Sequence, residues 1–442
     1  MKSFPIRHCP DPSQGVSRRS VLKGIAHTTA AGVFLPSMRW DGLAQSSDIL
    51  KTSAAKLNQK KLIGDETFWN LVKDQFSIRQ GLVMLNAANL CPAPLIVEKK
   101  VFELTKDLNA DASFTNRAKF SEMKEKARAM LAEFVGADPD EIAIVRNTSE
   151  GNNFVINGLT LGKGDEVVIW DQNHPTANVA WDVRAERYGY RVIRVKTPES
   201  PKSPKDVINP FIAALTPRTR VLAFSHVSNV SGIRIDAKSL CALARERKIL
   251  TLVDGAQTFG TYPVDVHDIG CDFFTASSHK WFCGPKEVGI LYVRKDRIEG
   301  LYPSNVGVGW EGALKNGAQK FDNLGQRDDS RVSAMIEAAE FHKTLRKLRV
   351  SSRARMLADA VKNGIRQKLP QAEIITPLEH PMSWGVVIFR IPGIDVSKAL
   401  ETLYFKHNVG CAVMGPNIRF SPHFYNTLED IEKAVAAVSH LV

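Results

Sequence analysis

Leu250-Thr251-Leu252-Val253-Asp254-Gly255-Ala256-Gln257 is an apolar run that stops abruptly on an acid and then a glycine. An aspartate at the C-terminal end of a buried parallel strand points into the ligand crevice of an open α/β sheet. The runs Ile142–Val145, Asp165–Trp170, Arg191–Val195, Thr219–Asn229 and Phe273–Ala276 also read as strands. Helical patterns lie between several of them, which predicts an α/β fold.

The second constraint is Thr275-Ala276-Ser277-Ser278-His279-Lys280-Trp281-Phe282-Cys283-Gly284-Pro285. Gly284-Pro285 turns the chain, so Lys280 sits at a strand end or in a loop. A lysine beside a histidine is ordinarily a solvated pair. Drawn into a pocket, it loses hydration and becomes a nucleophilic amine. About 26 residues separate Lys280 from Asp254, room for a short crossover or hairpin. An acid that holds a pyridinium nitrogen and a lysine that forms a Schiff base are the pair that pyridoxal 5′-phosphate (PLP) requires.

Several short stretches then agree. Val253-Asp254-Gly255-Ala256-Gln257, Ser277-Ser278-His279-Lys280 and Ser225-His226-Val227-Ser228-Asn229 resemble signatures of the class V aminotransferases. This fold-type I group includes cysteine desulfurases and isopenicillin N epimerase. The resemblance runs from about Leu85 to the C-terminus. It implies a mostly parallel seven-stranded sheet, a smaller α+β C-terminal domain, a PLP cofactor and a homodimer with the active site at its interface.

Residue roles follow from the same resemblance. Lys280 would carry the cofactor and then act as acid and base at Cα, with Asp254 on the ring nitrogen and His174 stacked on the ring. Thr148 and Ser149, at a strand-to-helix turn that by itself reads as an anion site, would cradle the phosphate with Ser277 and His279. Asn229 and Gln257 would reach the 3′ oxygen. Phe321-Asp322-Asn323-Leu324-Gly325-Gln326-Arg327-Asp328 resembles the segment that crosses to the partner's phosphate, with Gln326 in place of threonine. Gly81–Asn89 resembles the segment that opens the fold and passes the site, and Asn86 is taken as a substrate contact. Arg419-Phe420-Ser421-Pro422-His423-Phe424-Tyr425-Asn426-Thr427 resembles the isopenicillin N epimerase-like branch. Arg419 would there bind a substrate carboxylate in a bidentate fork that lysine does not copy. No metal is expected.

The implied activity is a transaminase or epimerase acting on an amino acid, or on an amino acid borne by a peptide. Exported members of this branch include enzymes that tailor peptide siderophores of the pyoverdine type, so the resemblance extends the expected substrates to such peptides. A desulfurase or C–S lyase would instead need a thiolate over the site, and Cys411 is the candidate. A binding protein that has lost its chemistry is a third reading, against which Asp254, His174 and Lys280 stand.

Composition bears on compartment. Ser17-Arg18-Arg19-Ser20-Val21-Leu22-Lys23 resembles the twin-arginine export motif. A weakly apolar stretch follows, and then Gly42-Leu43-Ala44 before Gln45. Residues 1–44 are therefore read as an export signal, the twin-arginine machinery as a partner and the periplasm as the destination. Residues 45–84 would join the small domain, 85–340 form the PLP-binding domain and 341–442 the small domain. The net charge of +12 is spread without a Lys/Arg run, which speaks against nucleic acid. The body of the chain has no apolar run long enough for a stable membrane anchor. Of six cysteines, none has C-x-x-C spacing, so neither a disulfide framework nor a zinc site is implied.

Overall fold

The computed structural model describes residues 43–56 and 63–442. The expected export segment lies outside these residues except at its end, where the helix Leu43–Lys56 begins.

The strands are β1 (Val83–Met84), β2 (Ile142–Val145), β3 (Glu166–Trp170), β4 (Arg191–Val195), β5 (Thr219–Ser225), β6 (Leu250–Asp254), β7 (Phe273–Ser277), β8 (Gly289–Val293), β9 (Glu373–Ile374), β10 (Val387–Arg390), β11 (Val409–Gly410), β12 (Ala412–Met414) and β13 (Asn417–Phe420). Seven of them form the large sheet in the order β2-β8-β7-β6-β5-β3-β4. Every pair from β7 to β4 is parallel, and β8 runs antiparallel to both of its neighbours. This is the expected seven-stranded, mostly parallel sheet. Alternate residues supply two cores. Val168 and Trp170 enter one, while Val167 and Ile169 enter the other. Both faces are thus covered, as a parallel sheet requires. The edge strand β4 is the exception, with Arg191 and Arg194 exposed.

The strand order creates a crevice. The chain leaves β3 toward β4 on one side, and leaves β5 toward β6 on the other. Loops that diverge from adjacent parallel strands open a ligand site between them. His174 follows β3, and Asn229 follows β5.

A four-stranded antiparallel sheet, β12-β13-β10-β9, forms a separate layer near the C-terminus. Its core includes Leu357, Val361, Phe389, Leu403 and Val435. β1 pairs in parallel with β11, so the segment before residue 85 is tied to this layer. Thr427 caps the last helix, Leu428–Ser439, through a reciprocal box with Asp430.

The strand expected from Thr219 to Asn229 ends at Ser225. Three helices, Asp329–Ser333, Met335–Leu345 and Lys347–Lys368, meet at Ala334 and at Arg346, whose φ is 66°. Neither break carries a glycine or proline. Residues 111–113 separate two earlier helices, and Ser113 caps the second, Phe114–Val135. Cys411 lies between β11 and β12.

Candidate active site

Backbone pairing fixes the register. Ser225, the end of β5, is in register with Asp254, the end of β6, and Asp254 with Thr275 in the middle of β7. Gly255 follows because any Cβ there would collide with the Phe274 ring. The Asp254 carboxylate accepts from Ala256 N–H at 3.0 Å and from Asn152 Nδ2 at 3.0 Å.

β7 leads into the lysine turn, which is closed by Cys283 N–H donating to the Lys280 carbonyl at 2.9 Å and Gly284 N–H to the Ser278 carbonyl at 2.8 Å. Two buried histidines hold the following carbonyls: His423 Nε2 on Trp281 at 2.6 Å, and His342 Nε2 on Phe282 at 2.9 Å. Trp281 Nε1 donates to Gln257 Oε1 at 2.8 Å, and Gln257 Nε2 donates to the Ala88 carbonyl at 2.9 Å. Lys280 therefore projects from a fixed backbone. Among the described residues its Nζ has no hydrogen bond or ion pair. Burial pulls its pKa below the usual lysine value, opposed by Asp254 and aided by Arg419.

The phosphate-type site forms at the N-terminus of the helix Thr148–Gly158. Asn147 caps it by accepting from Glu150 N–H at 2.9 Å. Thr148 N–H donates to Ser277 Oγ at 2.8 Å, and the two hydroxyls lie 2.7 Å apart. Hydroxyls and the positive end of the helix dipole converge there. Burial, and then Lys280 and Lys286, push His279 down to about 4, so it is neutral at pH 7.

Nine of the twelve expected residues line one cavity of about 280 Å³: Thr148, Ser149, His174, Asn229, Asp254, Gln257, Ser277, His279 and Lys280. His174 also caps the helix Pro175–Tyr188, its Nδ1 accepting from Thr176 N–H at 3.3 Å. Burial and the Lys280 charge lower its pKa. Arg419 and Asn86 do not line the cavity but adjoin it. Arg419 donates to Asn86 Oδ1 at 3.2 Å and to the carbonyl of the cavity residue Asn229 at 3.4 Å. Arg419 is buried, and its Nε has no hydrogen-bond partner among the described residues. Gln326 stands apart from its own chain's cavity, exposed and bonded to Arg117 at 2.9 Å.

Sequence reasoning passed over Asn89, Asn147 and Asn152, which also line the cavity. Asn152 had a readable signal, since it lies one helical turn beyond Thr148 and so on the same face. A larger cavity of about 560 Å³, behind the Cys91–Pro92 turn, contains none of the expected residues. Asp138, Glu141 and His267 also cluster, but Glu141 is already engaged by Asp138 N–H, Lys295 N–H and His267.

The profile described as "Aminotransferase class-V" matches residues 88–434. The chain belongs to the class-V aminotransferase family. An isopenicillin N epimerase from Amycolatopsis lactamdurans is 30% identical over 395 residues, covering 85% of this chain and 99% of that protein. A probable cysteine desulfurase from Methanothermobacter thermautotrophicus is 28% identical over 393 residues, covering 82% and 95%. A C-DES variant with glycine covalently linked to its PLP cofactor superposes with a TM-score of 0.75 at 20% identity, covering 84% of this chain and 99% of that one. That likeness establishes the fold. The class-V aminotransferases are PLP enzymes, and the cavity suits that cofactor. It offers an unpaired amine at Lys280, a buried carboxylate at Asp254 and paired hydroxyls at a helix N-terminus.

Proposed function

We propose that the chain is a PLP enzyme acting at the Cα amine of an amino acid or peptide-borne amino acid, with epimerase or aminotransferase chemistry. The observation that carries this reading is the unpaired Lys280 amine in one cavity with Asp254 and His174, with the Arg419 guanidinium beside it. When bound, PLP supplies an electron sink for charge developing at Cα.

The chain's own groups divide the remaining work. Thr148, Ser149, Ser277 and His279 would hold the phosphate. Asp254 would keep a proton on the ring nitrogen, and Gln257 and Asn229 would address the 3′ oxygen. His174, its pKa lowered by burial and the Lys280 charge, would lie against the ring face. Lys280 Nζ takes and returns the proton at Cα, a task favoured by its depressed pKa. Arg419 holds the substrate carboxylate, and burial lowers its pKa only to about 10, so it stays charged. The C-terminal stretch and the epimerase relatives favour the isopenicillin N epimerase-like branch.

Desulfurase chemistry has support from relatives of similar identity. Cys411 counts against it. The thiol is buried between β11 and β12, and burial pushes it up to about 12. Only Gly415 and Pro416 link β12 to β13, which leaves no room there for a long loop carrying the thiol. A homodimer and twin-arginine export to the periplasm complete the proposal. The surface position of Gln326 suits a reach into a partner subunit.

The test is spectroscopic and chemical. The purified protein should absorb in the visible, borohydride should fix the cofactor on Lys280, and Lys280→Ala should lose the band. In D₂O, epimerase chemistry should place deuterium at Cα of an amino acid substrate without net loss of amine, whereas transamination should release a keto acid. A colourless protein that does not take up added PLP would overturn the reading.

A further inference from the structure

Asn152 is 2% exposed and stands between Asp254, which ends β6, and Thr275, its register partner in the middle of β7. Its Nδ2 lies 3.0 Å from Asp254 Oδ2, and its Oδ1 lies 2.6 Å from Thr275 Oγ1. The orientation of its amide is forced. An ionised carboxylate only accepts, so the NH₂ must face Asp254 and the carbonyl must face Thr275. Thr275, itself fully buried, must then donate. A directed chain of hydrogen bonds runs from Thr275 through Asn152 to Asp254.

The approach of the helix makes this possible. A Cβ on Gly151 would lie 3.0 Å from Thr275 Cγ2, so the helix Thr148–Gly158 sits as close to β7 as a glycine allows. Ala256 N–H holds the other carboxylate oxygen. With one fixed donor on each oxygen, the carboxylate no longer rotates freely about its broad terminal torsion. One lone pair on each oxygen remains for the cavity.

We infer that Asn152 is a positioning residue for the cofactor's ring nitrogen, acting through Asp254: it fixes the carboxylate's rotation and so aims the remaining lone pairs into the cavity. This rests on the assignment of Asp254 to that nitrogen. A chain of hydrogen bonds strengthens each of its links, and a carboxylate held at a fixed angle would accept from a protonated ring nitrogen. The buried amide is thus part of what sets the cofactor's electronic state, although it does not itself perform the chemistry.

The experiment compares holoenzymes. Asn152→Leu keeps the heavy-atom count and branching of the side chain and removes the donor. It should weaken PLP affinity about tenfold or more, and shift the pH midpoint of the bound cofactor's visible band by about half a unit or more. Asn152→Asp should behave like wild type at low pH, where the acid still donates. It should lose PLP as pH rises and two carboxylates face each other. Thr275→Val should move the midpoint in the same direction as Asn152→Leu, by less. Wild-type affinity and midpoint in Asn152→Leu would overturn the inference. Should that variant fail to fold, wild-type behaviour of both Asn152→Asp and Thr275→Val overturns it instead. Asp254→Asn separates the two assignments. If it too leaves the band unchanged, the role of Asp254 itself fails. If only Asp254→Asn shifts the band, Asp254 stands and the role of Asn152 falls.

Discussion

The hydroxyls of Thr148 and Ser277 lie 2.7 Å apart although 129 residues separate them in the chain. One opens a helix and the other ends β7, so the pair marks where helix dipole and strand end converge. Ser277→Ala removes the acceptor of Thr148 N–H as well as this contact. The loss should cost about 1–2 kcal/mol of phosphate binding, roughly a tenfold weaker retention of PLP. Competition for released PLP measures it, and unchanged retention would remove Ser277 from the phosphate site.

Arg419 is held by Asn86 and Asn229, with its Nε unpartnered among the described residues. Arg419→Lys should raise KM about tenfold or more, the cost of one charge-assisted hydrogen bond at about 1.5–3 kcal/mol. The visible spectrum without substrate should be unaffected. Unaltered kinetics would mean that Arg419 merely braces Asn86 and Asn229.

Cys411→Ser should leave turnover of the physiological substrate nearly intact, since a buried thiol pushed up to about 12 is not a thiolate at pH 7. Abolished activity, together with persulfide on Cys411 of the wild type, would favour the desulfurase chemistry instead.

His342 and His423 bond backbone carbonyls through Nε2, and each leaves Nδ1 buried with no hydrogen-bond partner among the described residues. Protonating that nitrogen would bury an unpaired charge. Burial therefore pushes His342 down to about 4 and His423 to about 3, and His226 is likewise near 3. The unfolded chain takes up these protons near pH 6.5. The native state binds fewer protons below that point, so the contribution is complete above about pH 6.5. It is lost as pH falls through the folded values, at up to about 1.4 kcal/mol per pH unit for each histidine. Thermal unfolding should show Tm falling between pH 6.5 and 4. His342→Gln should flatten the fall, and an unchanged slope would exclude His342 as a contributor.

Arg18 and Arg19 form the pair expected to be read by the export machinery. Replacing both with lysine keeps the charge. If export depends on the arginines, the variant should accumulate inside the cell uncleaved and PLP-bound, while wild type reaches the periplasm with an N-terminus near Gln45. Fractionation that finds wild type wholly cytoplasmic with Met1 retained would refute export.

The readable features were local ones. The apolar run ending in Asp254 and the turn after Lys280 each lie within a few residues, and strand period and glycine chemistry act over that range. The motif resemblance then supplied Thr148, His174, Asn229 and Arg419. The helix breaks at Ala334 and Arg346 were invisible, because no residue there is a breaker and packing alone bends the chain. Asn152 between Thr275 and Asp254, and the histidines on the carbonyls after Lys280, were equally hidden. His342 and His423 lie 60 and 142 residues from the carbonyls they hold. A hydrogen bond over such a separation depends on which strands are neighbours and in what register. The sequence by itself determined which strand ends carry chemistry. Only the tertiary structure decided which buried side chains hold those ends in place, because burial and register are properties of the packed sheet and not of any one segment.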